Sequence, residues 1–421
     1  MFASIVAAVG AAALLGAPVA SPPAPRETAP AHASQTQELR ARFQDAAAAG
    51  ELPDAVAVLE RIAAAGPGSA DWLDSMTANQ MRLDLEGESG LTRRYLAALD
   101  RADYGGRDPM VWDDDLWLPY AGLTVIDEPA AAARALRRLD SPYAVTRARL
   151  DRRFEAVVGA DPAWFAARAT AERWKAALLA YPRTSPLWAN AQNDLAVALL
   201  ILGETDQSLA VLDTALDLAG RGAVQAEDGD VAWLHGSRAL VLLTLGRRTE
   251  ALAAYREAAR LDKGDAPLPS QTVSYARAAI GLGAPEDALA ALARIRPEGR
   301  YTRAAAASAR ACALTDLGLR HEASAELAKL RDLRDVAPTA YSDALLCAED
   351  YDAAAAEFIR RLADPETRGE ALMLLSDWRM PPHPTPGQTK RAEREAVLKA
   401  RGDVRAAVAA VGRTEQIDLI N

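Results

Sequence analysis

Residues 245–258 read Leu-Gly-Arg-Arg-Thr-Glu-Ala-Leu-Ala-Ala-Tyr-Arg-Glu-Ala, and this stretch decides the fold. Gly246 follows an apolar helical run and precedes Ala251, Tyr255 and Ala258 at helical spacing. A glycine lets a helix end with a residue at positive φ, which other residues resist. A small residue after it lets two helices cross closely, and the tyrosine fills the space between them. The stretch therefore predicts a helix–turn–helix unit.

The same pattern returns along the chain. Single units cannot bury their apolar faces alone, so successive units must stack. A further copy is anchored upstream at Gly50, and a degenerate fifth copy of the main series has Glu349 or Asp350 at its turn. The repeat positions of the strongest copies are Gly203, Gly246, Ala251, Tyr255, Gly283, Ala288, Gly318 and Ala323.

This pattern resembles the tetratricopeptide repeat, a helix–turn–helix unit of about 34 residues. The resemblance implies an all-α fold, a right-handed α-solenoid of stacked helical hairpins. It is specific from Trp188 to about Leu362 and is inferred for the helical sequence upstream. Aromatic residues make up only 5% of the chain and the apolar residues are largely Ala and Leu, a composition that suits close helix packing better than a β-sheet core.

Changes in composition predict five segments. A Pro-rich break at residues 380–386 stops the helical pattern, and the polar side chains of Arg391, Glu393, Arg394 and Glu395 suit the outer face of a terminal cap. The last ten residues are predicted to be frayed or extended. The segments are a signal peptide or anchor (1–33), a divergent helical array (34–187), the repeat block (188–363), a linker (364–389) and a C-terminal helical cap with its tail (390–421).

The N-terminus resembles a secretory signal peptide. Residues 2–20 are almost all apolar, and small-x-small sites end at Ala31 and Ala33. No Lys or Arg precedes the apolar run, in contrast to the usual signal peptide. We expect cleavage near Ala33 and a periplasmic or secreted protein, with an uncleaved membrane anchor as the alternative. No later stretch is long and apolar enough to predict a membrane span.

The charge and the reactive residues narrow the possible functions. A net charge of −10 argues against binding nucleic acid or an anionic membrane, which requires a basic surface. Two small buried thiols are the favoured interpretation of Cys312 and Cys347, and a disulfide is the alternative. The histidines show no metal-ligand spacing, and phosphate-loop and nucleophile-elbow motifs are absent from the sequence. We therefore expect no metal, no cofactor and no enzymatic activity.

The resemblance implies a binding groove lined by the first helix of each repeat. The function predicted from it is a non-catalytic scaffold that binds a protein or peptide in the cell envelope. One alternative is a structural subunit that uses the opposite, convex face, and another is a divergent cell-wall enzyme. The lining lacks the basic set that clamps a terminal carboxylate in chaperone-binding members. The groove residues are predicted to be Asn190, Asn193, Val197, Trp233, Leu240, Arg277 and Asp316.

Overall fold

The computed structural model describes residues 31–85, 87–105, 114–261, 270–296 and 299–420. These residues form two compact units, one ending at Asp140 and the other beginning at Ser141. Residues 1–30, which hold most of the predicted signal peptide, lie outside the described residues. Among the helices that are described, none is both long enough and apolar enough to cross a membrane.

The first unit is entirely helical over its described residues. Its helices alternate between first and second members of hairpins, and α1 packs on α2 as α5 packs on α6. The bounds are α1 (Ala31–Ala48), α2 (Leu52–Ala63), α3 (Ser75–Asp84), α4 (Ser89–Arg101), α5 (Asp114–Thr124) and α6 (Pro129–Leu136).

The first hairpin of this unit has the predicted geometry. Gly50 stands at φ 74° between α1 and α2, and the side chains of Phe43, Leu59 and Ile62 are buried at the interface of the two helices. The apolar face of α2 is therefore covered by α1 on one side. The other side of α2 is packed against α4.

Arginine–carboxylate pairs join successive second helices in this unit. Arg94 on α4 binds Glu60 on α2 at 2.7 Å, and Arg134 on α6 binds Asp100 on α4 at 2.8 Å. The partners in both pairs are 34 residues apart. The repeat period thus persists in the first unit although the consensus glycines and alanines are mostly lost.

The second unit contains the repeat block and the C-terminal segments. It begins with α7 (Pro142–Leu150), a 3-10 turn (Arg152–Phe154), α8 (Glu155–Ala160) and α9 (Ala167–Leu179). The block follows as five hairpins, each a first helix and a second helix. They are α10 (Trp188–Leu202) with α11 (Thr205–Gly220), α12 (Asp228–Thr244) with α13 (Arg248–Leu261), α14 (Ser270–Gly281) with α15 (Pro285–Leu292), α16 (Arg300–Asp316) with α17 (Arg320–Arg331), and α18 (Pro338–Cys347) with α19 (Tyr351–Ala363).

The turns of the block confirm the repeat. Gly203, Gly246, Gly283 and Gly318 all have positive φ, between 74° and 87°. The degenerate fifth turn is made by Glu349, which adopts φ 58° without being a glycine. At Gly246, the amide donates to Leu243 and the following amide to Leu242, so the turn satisfies carbonyls that the helix end leaves unpaired.

Packing inside the hairpins also follows the predicted positions. Ala251 and Ala288 have no exposed surface, and Ala323 is 3% exposed, as expected where two helices cross closely. Tyr255 is 2% exposed and fills the space between α12 and α13. Each first helix also contacts the first helix of the next repeat, so the hairpins form a continuous stack. The all-α fold of stacked helical hairpins is therefore confirmed.

The chain after the block returns to it. Its elements are α20 (Arg368–Leu375), β1 (Asp377–Arg379), α21 (Pro386–Ala400), α22 (Gly402–Val411) and β2 (Gln416–Ile420). The two strands form a small parallel ladder in which Trp378 is opposite Ile417. Leu419 has no exposed surface and β2 packs against α9 and α10. The tail is extended, and its apolar side chains Ile417, Leu419 and Ile420 are buried.

The favoured interpretation of the cysteines was wrong. Cys312 on α16 and Cys347 on α18 form a disulfide, with their Cα atoms 5.2 Å apart. The two residues differ by about one helical turn in repeat phase, which counted against bonding. Adjacent first helices need not lie level along their axes, and a displacement of one turn, about 5.4 Å, brings the two side chains together.

Candidate functional site

The first helices α10, α12, α14, α16 and α18 pack side by side and form what we call the first-helix face. This is the surface that the sequence predicts to be a groove. Neighbouring helices in this face approach each other closely. A side chain at Gly236 on α12 would come within 2.3 Å of Gln271 on α14, so these helices meet where one has no Cβ atom.

The chain's own residues 379–401, which we call the C-terminal segment, lie across this face. They contact the repeats in chain order, close to the turns between first and second helices. Arg379 donates to the carbonyl of Leu202 at 3.3 Å, beside the first turn. The ring of His383 lies beside the second turn. A Cβ atom added at Gly246 would be 3.1 Å from this ring.

Backbone packing fixes the segment at the third repeat. A Cβ atom at Gly387 would lie 2.5 Å from the Cα atom of Gly281, so α21 begins in direct contact with the end of α14. A capping box starts α21: the Thr385 hydroxyl accepts from the Gln388 amide, and the Gln388 side chain accepts from the Thr385 amide. The position of α21 is thus set by a glycine contact and a helix cap.

Ion pairs continue the series over the last two repeats. Three basic side chains of α21, and the arginine just after it, each face a carboxylate of the block. Three of these carboxylates belong to first helices or the turn that follows them, and the fourth opens α19. The pairs are Lys390–Asp316 at 3.2 Å, Arg391–Asp343 at 3.1 Å, Arg394–Glu349 at 3.2 Å and Arg401–Asp352 at 2.7 Å.

Asp343 and Arg391 form the most enclosed of these pairs. Burial raises the pKa of Asp343, but nearby cations, with Arg391 and Arg277 among them, lower it more, so the pKa lies below its usual value. The Asp343 carboxylate in turn raises the pKa of Arg391. Both groups are therefore charged at neutral pH, and the pair fastens α21 to α18.

A cavity of about 380 Å³ remains between the C-terminal segment and the first-helix face. Its walls are mostly apolar, and the disulfide of Cys312 and Cys347 forms part of them. Charged side chains from α14, α16, α18 and α21 line the remainder. The site is therefore a pocket closed on one side by the protein's own chain, where an open groove was expected.

Some of the predicted groove residues meet at this cavity. Leu240, Arg277 and Asp316 all line it, although they come from three different helices. Asp316 is engaged by Lys390 of the C-terminal segment. Leu240 is 9% exposed, so its side chain is packed against the protein's own residues.

The other predicted groove residues have different environments. Asn193 is 5% exposed and accepts a hydrogen bond from Ser237 at 2.6 Å, which joins α10 to α12. Val197 is 7% exposed and packs within the stack. Asn190 and Trp233 are half-buried and lie towards the N-terminal ends of α10 and α12, at the opposite ends of these helices from the turns.

The predicted cap is arranged differently from the expectation. Helix α22 does pack against α19 at the end of the block, but α21 also reaches α14 and α18 on the first-helix face. Arg391, Arg394 and Glu395 line the cavity, whereas the sequence placed them on an outer, solvent-facing surface. That expectation was wrong because the carboxylates that pair with the two arginines are supplied by repeats up to 48 residues away.

Reasoning from the sequence missed the C-terminal segment as part of the site. One signal was present. Basic residues recur at Lys390, Arg391, Arg394 and Arg401, while the last two repeats carry acids near their turns. Complementary charge alone does not say which pairs form, so this signal could suggest the contact but not its register.

No protein-family model and no curated protein matches the sequence. Among solved structures, the chain is similar to kinesin light chain tetratricopeptide-like repeats from Podosopora anserina, with 17% identity, TM-score 0.31, 47% of this chain and 97% of that chain covered. It is also similar to a Rap protein complexed with Competence and Sporulation Factor (15% identity, TM-score 0.35, coverage 89% and 99%). A third similar structure is the Rap conjugation gene regulator of plasmid pLS20 in complex with the Phr* peptide, with 12% identity, TM-score 0.36, 80% of this chain and 83% of that chain covered.

The repeat geometry described above is that of stacked helical hairpins. Turn glycines at positive φ, buried small residues at the helix crossings and paired first helices recur through α10–α19. Among the described residues, no cluster of His, Cys, Asp or Glu could hold a metal ion.

Proposed function

We propose that this protein is a non-catalytic scaffold of the cell envelope that binds a protein or peptide partner on its first-helix face. The observation that carries the proposal is the C-terminal segment itself. This face already binds residues 379–401 through contacts at successive repeats, so its spacing and chemistry suit a polypeptide ligand.

The partner would bind the part of the first-helix face that these contacts with the C-terminal segment do not involve. Trp233 and Asn190 stand near the N-terminal ends of α12 and α10, and both are half-buried. A tryptophan, a residue enriched at strong contact positions, offers an apolar anchor, and an amide side chain can both donate and accept hydrogen bonds. Affinity would come from several weak contacts spread over adjacent repeats.

The envelope location is part of the same proposal. The disulfide of Cys312 and Cys347 supports it, because such bonds persist mainly in oxidising compartments. The expected mature N-terminus, near Ala33, is tested by sequencing the N-terminus of protein purified from the cell envelope. A chain that still begins at Met1 and remains with membranes would favour the anchored alternative, and one recovered from the cytoplasm with free thiols would reject export.

Site-specific photo-crosslinking in cells tests the binding surface. A photoreactive amino acid replaces Trp233 or Asn190 in turn, and the control places it at Glu257 on the second helix α13. We expect one discrete crosslinked partner shared by the two first-helix positions and absent from Glu257. Crosslinks from Glu257 alone would move recognition to the second-helix face and support a structural subunit, and no crosslink from any position would reject a scaffold role.

A further inference from the structure

Arg277 gives the cavity beneath the C-terminal segment an unused positive charge. The residue lies on α14, is half-buried and lines the cavity. Within the described residues its guanidinium group forms no hydrogen bond or ion pair. The other cations of the lining do have carboxylate partners: Lys390 with Asp316, Arg391 with Asp343, Arg394 with Glu349 and Lys399 with Asp377.

The nearest candidate to neutralise Arg277 is already occupied. Asp343 lines the same cavity, but it accepts a hydrogen bond from Arg391 at 3.1 Å. Arg391 also bonds to Glu395 at 2.7 Å. Asp343 interacts electrostatically with Arg277, but no described carboxylate forms a hydrogen bond or ion pair with it. A half-buried cation in this state is costly, so an anion that enters the cavity gains a charge-assisted hydrogen bond.

The rest of the cavity suits an apolar body. Its walls include Leu240, Leu243, Ile280, Leu346 and Met380, together with the disulfide. A volume of about 380 Å³ lies in the lower part of the range of small-molecule pockets, and at about 30 Å³ for each water-sized group it holds about a dozen non-hydrogen atoms.

The closure of the cavity favours a small ligand over a peptide. The chain that covers it is held at one end by the pairing of β1 with β2. It is held again where Gly387 contacts Gly281, and by Arg401 on Asp352 at the far end. A long polypeptide could enter only if these contacts were released, whereas a compact molecule needs only side-chain movement.

We infer that this cavity binds a small amphipathic carboxylate of about a dozen non-hydrogen atoms, with its carboxylate on Arg277 and its apolar body against the walls. This site is distinct from the partner surface around Asn190 and Trp233 and does not depend on it. Decanoate, decanol and decylamine have nearly the same apolar body with different head groups, so they separate the charge contact from apolar burial.

Binding to the purified protein is measured by isothermal titration calorimetry, with each probe below its aggregation concentration. We expect saturable binding of one decanoate, with decanol about 10- to 100-fold weaker because it lacks the charged contact. Decylamine should be the weakest, since its charge repels Arg277. Equal affinity for decanoate and decanol, or no saturable binding of decanoate, would overturn the inference.

Substitutions locate the contact. Arg277→Gln should weaken decanoate binding by about 10- to 100-fold and leave decanol binding unchanged. Arg277→Lys should recover part of the lost decanoate affinity. Arg260→Gln, an outer arginine paired with Glu257, is the matched control and should change neither probe. Ile280→Trp should fill the cavity and weaken both probes.

Circular dichroism confirms that each variant is folded. Decanoate binding that survives both Arg277→Gln and Ile280→Trp in folded protein would place the ligand elsewhere and overturn the assignment. A peptide with an apolar C-terminal residue is titrated in parallel. If it binds more tightly than decanoate with the same dependence on Arg277, the small-ligand class is wrong.

Discussion

In the unit that ends at Asp140, arginine side chains on the surface join second helices about 34 residues apart. The repeat block over α10–α19 relies instead on buried alanines, a tyrosine, a disulfide and the C-terminal segment that crosses its first helices. Both arrangements keep the same period. Both units also bury apolar side chains between their helices, so the difference lies in the contacts that each adds to a packed core.

The two arrangements differ in how much energy each contact carries. Exposed ion pairs contribute little because water and salt screen them. Buried small residues act where water is excluded, and a disulfide restricts the unfolded chain, so changes to either cost several times more. Stability should therefore be unevenly distributed along the chain, and substitutions can measure this in order of effect.

The largest effect is expected for Tyr255→Ala in the repeat block. Tyr255 is 2% exposed, and removing a buried aromatic side chain costs about 3–5 kcal/mol of unfolding free energy. Hydrogen exchange should show lost protection in α12 and α13 with residues 31–140 unchanged. Tyr255→Phe is the control and should cost far less. A uniform loss of protection in both units would mean that they unfold together.

Loss of the disulfide should have the next largest effect. Its partners are 35 residues apart, and closing a loop of that length contributes about 3–4 kcal/mol in the chain-entropy view. Thermal unfolding of the Cys312→Ser, Cys347→Ser double variant should show this loss. Reductant should destabilise the unsubstituted protein to the same extent and leave the double variant unaffected. An effect of reductant on the double variant would contradict the assignment.

A smaller and more local effect is expected for Gly387→Ala. The new Cβ atom would meet the backbone of Gly281 at 2.5 Å, and such overpacking costs about 1–3 kcal/mol. We expect faster hydrogen exchange in α21 while the block stays protected. Gly402→Ala is matched to it, because a Cβ atom there meets nothing within 4 Å. Equal exchange in the two variants would show that α21 is not held by this contact.

The smallest effect is expected for Arg94→Ala in the first unit. The Arg94–Glu60 pair is partly exposed, so it should contribute about 0.2–1 kcal/mol, and less in high salt. The hydrogen bond from Arg94 lowers the pKa of Glu60 from 4.5. The stabilisation by the Arg94–Glu60 pair is therefore complete at pH values above the usual pKa of glutamate, and it is lost as the pH falls through the lowered pKa of Glu60.

Unfolding measured against pH and salt checks this prediction. The difference in unfolding free energy between Arg94→Ala and the unsubstituted protein should disappear in acid and in 1 M salt. Arg221→Ala, which removes a pair within one helix at the surface of the second unit, provides the comparison. A difference that stays constant in acid would mean that Arg94 acts through packing of its methylene groups.

The turns and crossings of the block could be predicted because local rules set them. Gly246 has a φ of 75°, which glycine adopts at the lowest cost, and Ala251 and Tyr255 follow at spacings set by the helix itself. The site was only partly predictable. Arg277 and Asp316 line the cavity, whereas Asn193 is an inter-helix contact that sequence spacing alone cannot separate from a groove position.

The sequence by itself determined the helical hairpins, their turns and their period, because these depend on residues within one unit of each other. Tertiary structure alone decided that Cys312 bonds to Cys347, that residues 379–401 return across the first-helix face and that Arg277 forms no hydrogen bond or ion pair with the other described residues. These features depend on how helices are displaced along one another and on which distant charges meet. Local patterns carry no information on either, since every unit could satisfy its own rules in more than one such arrangement.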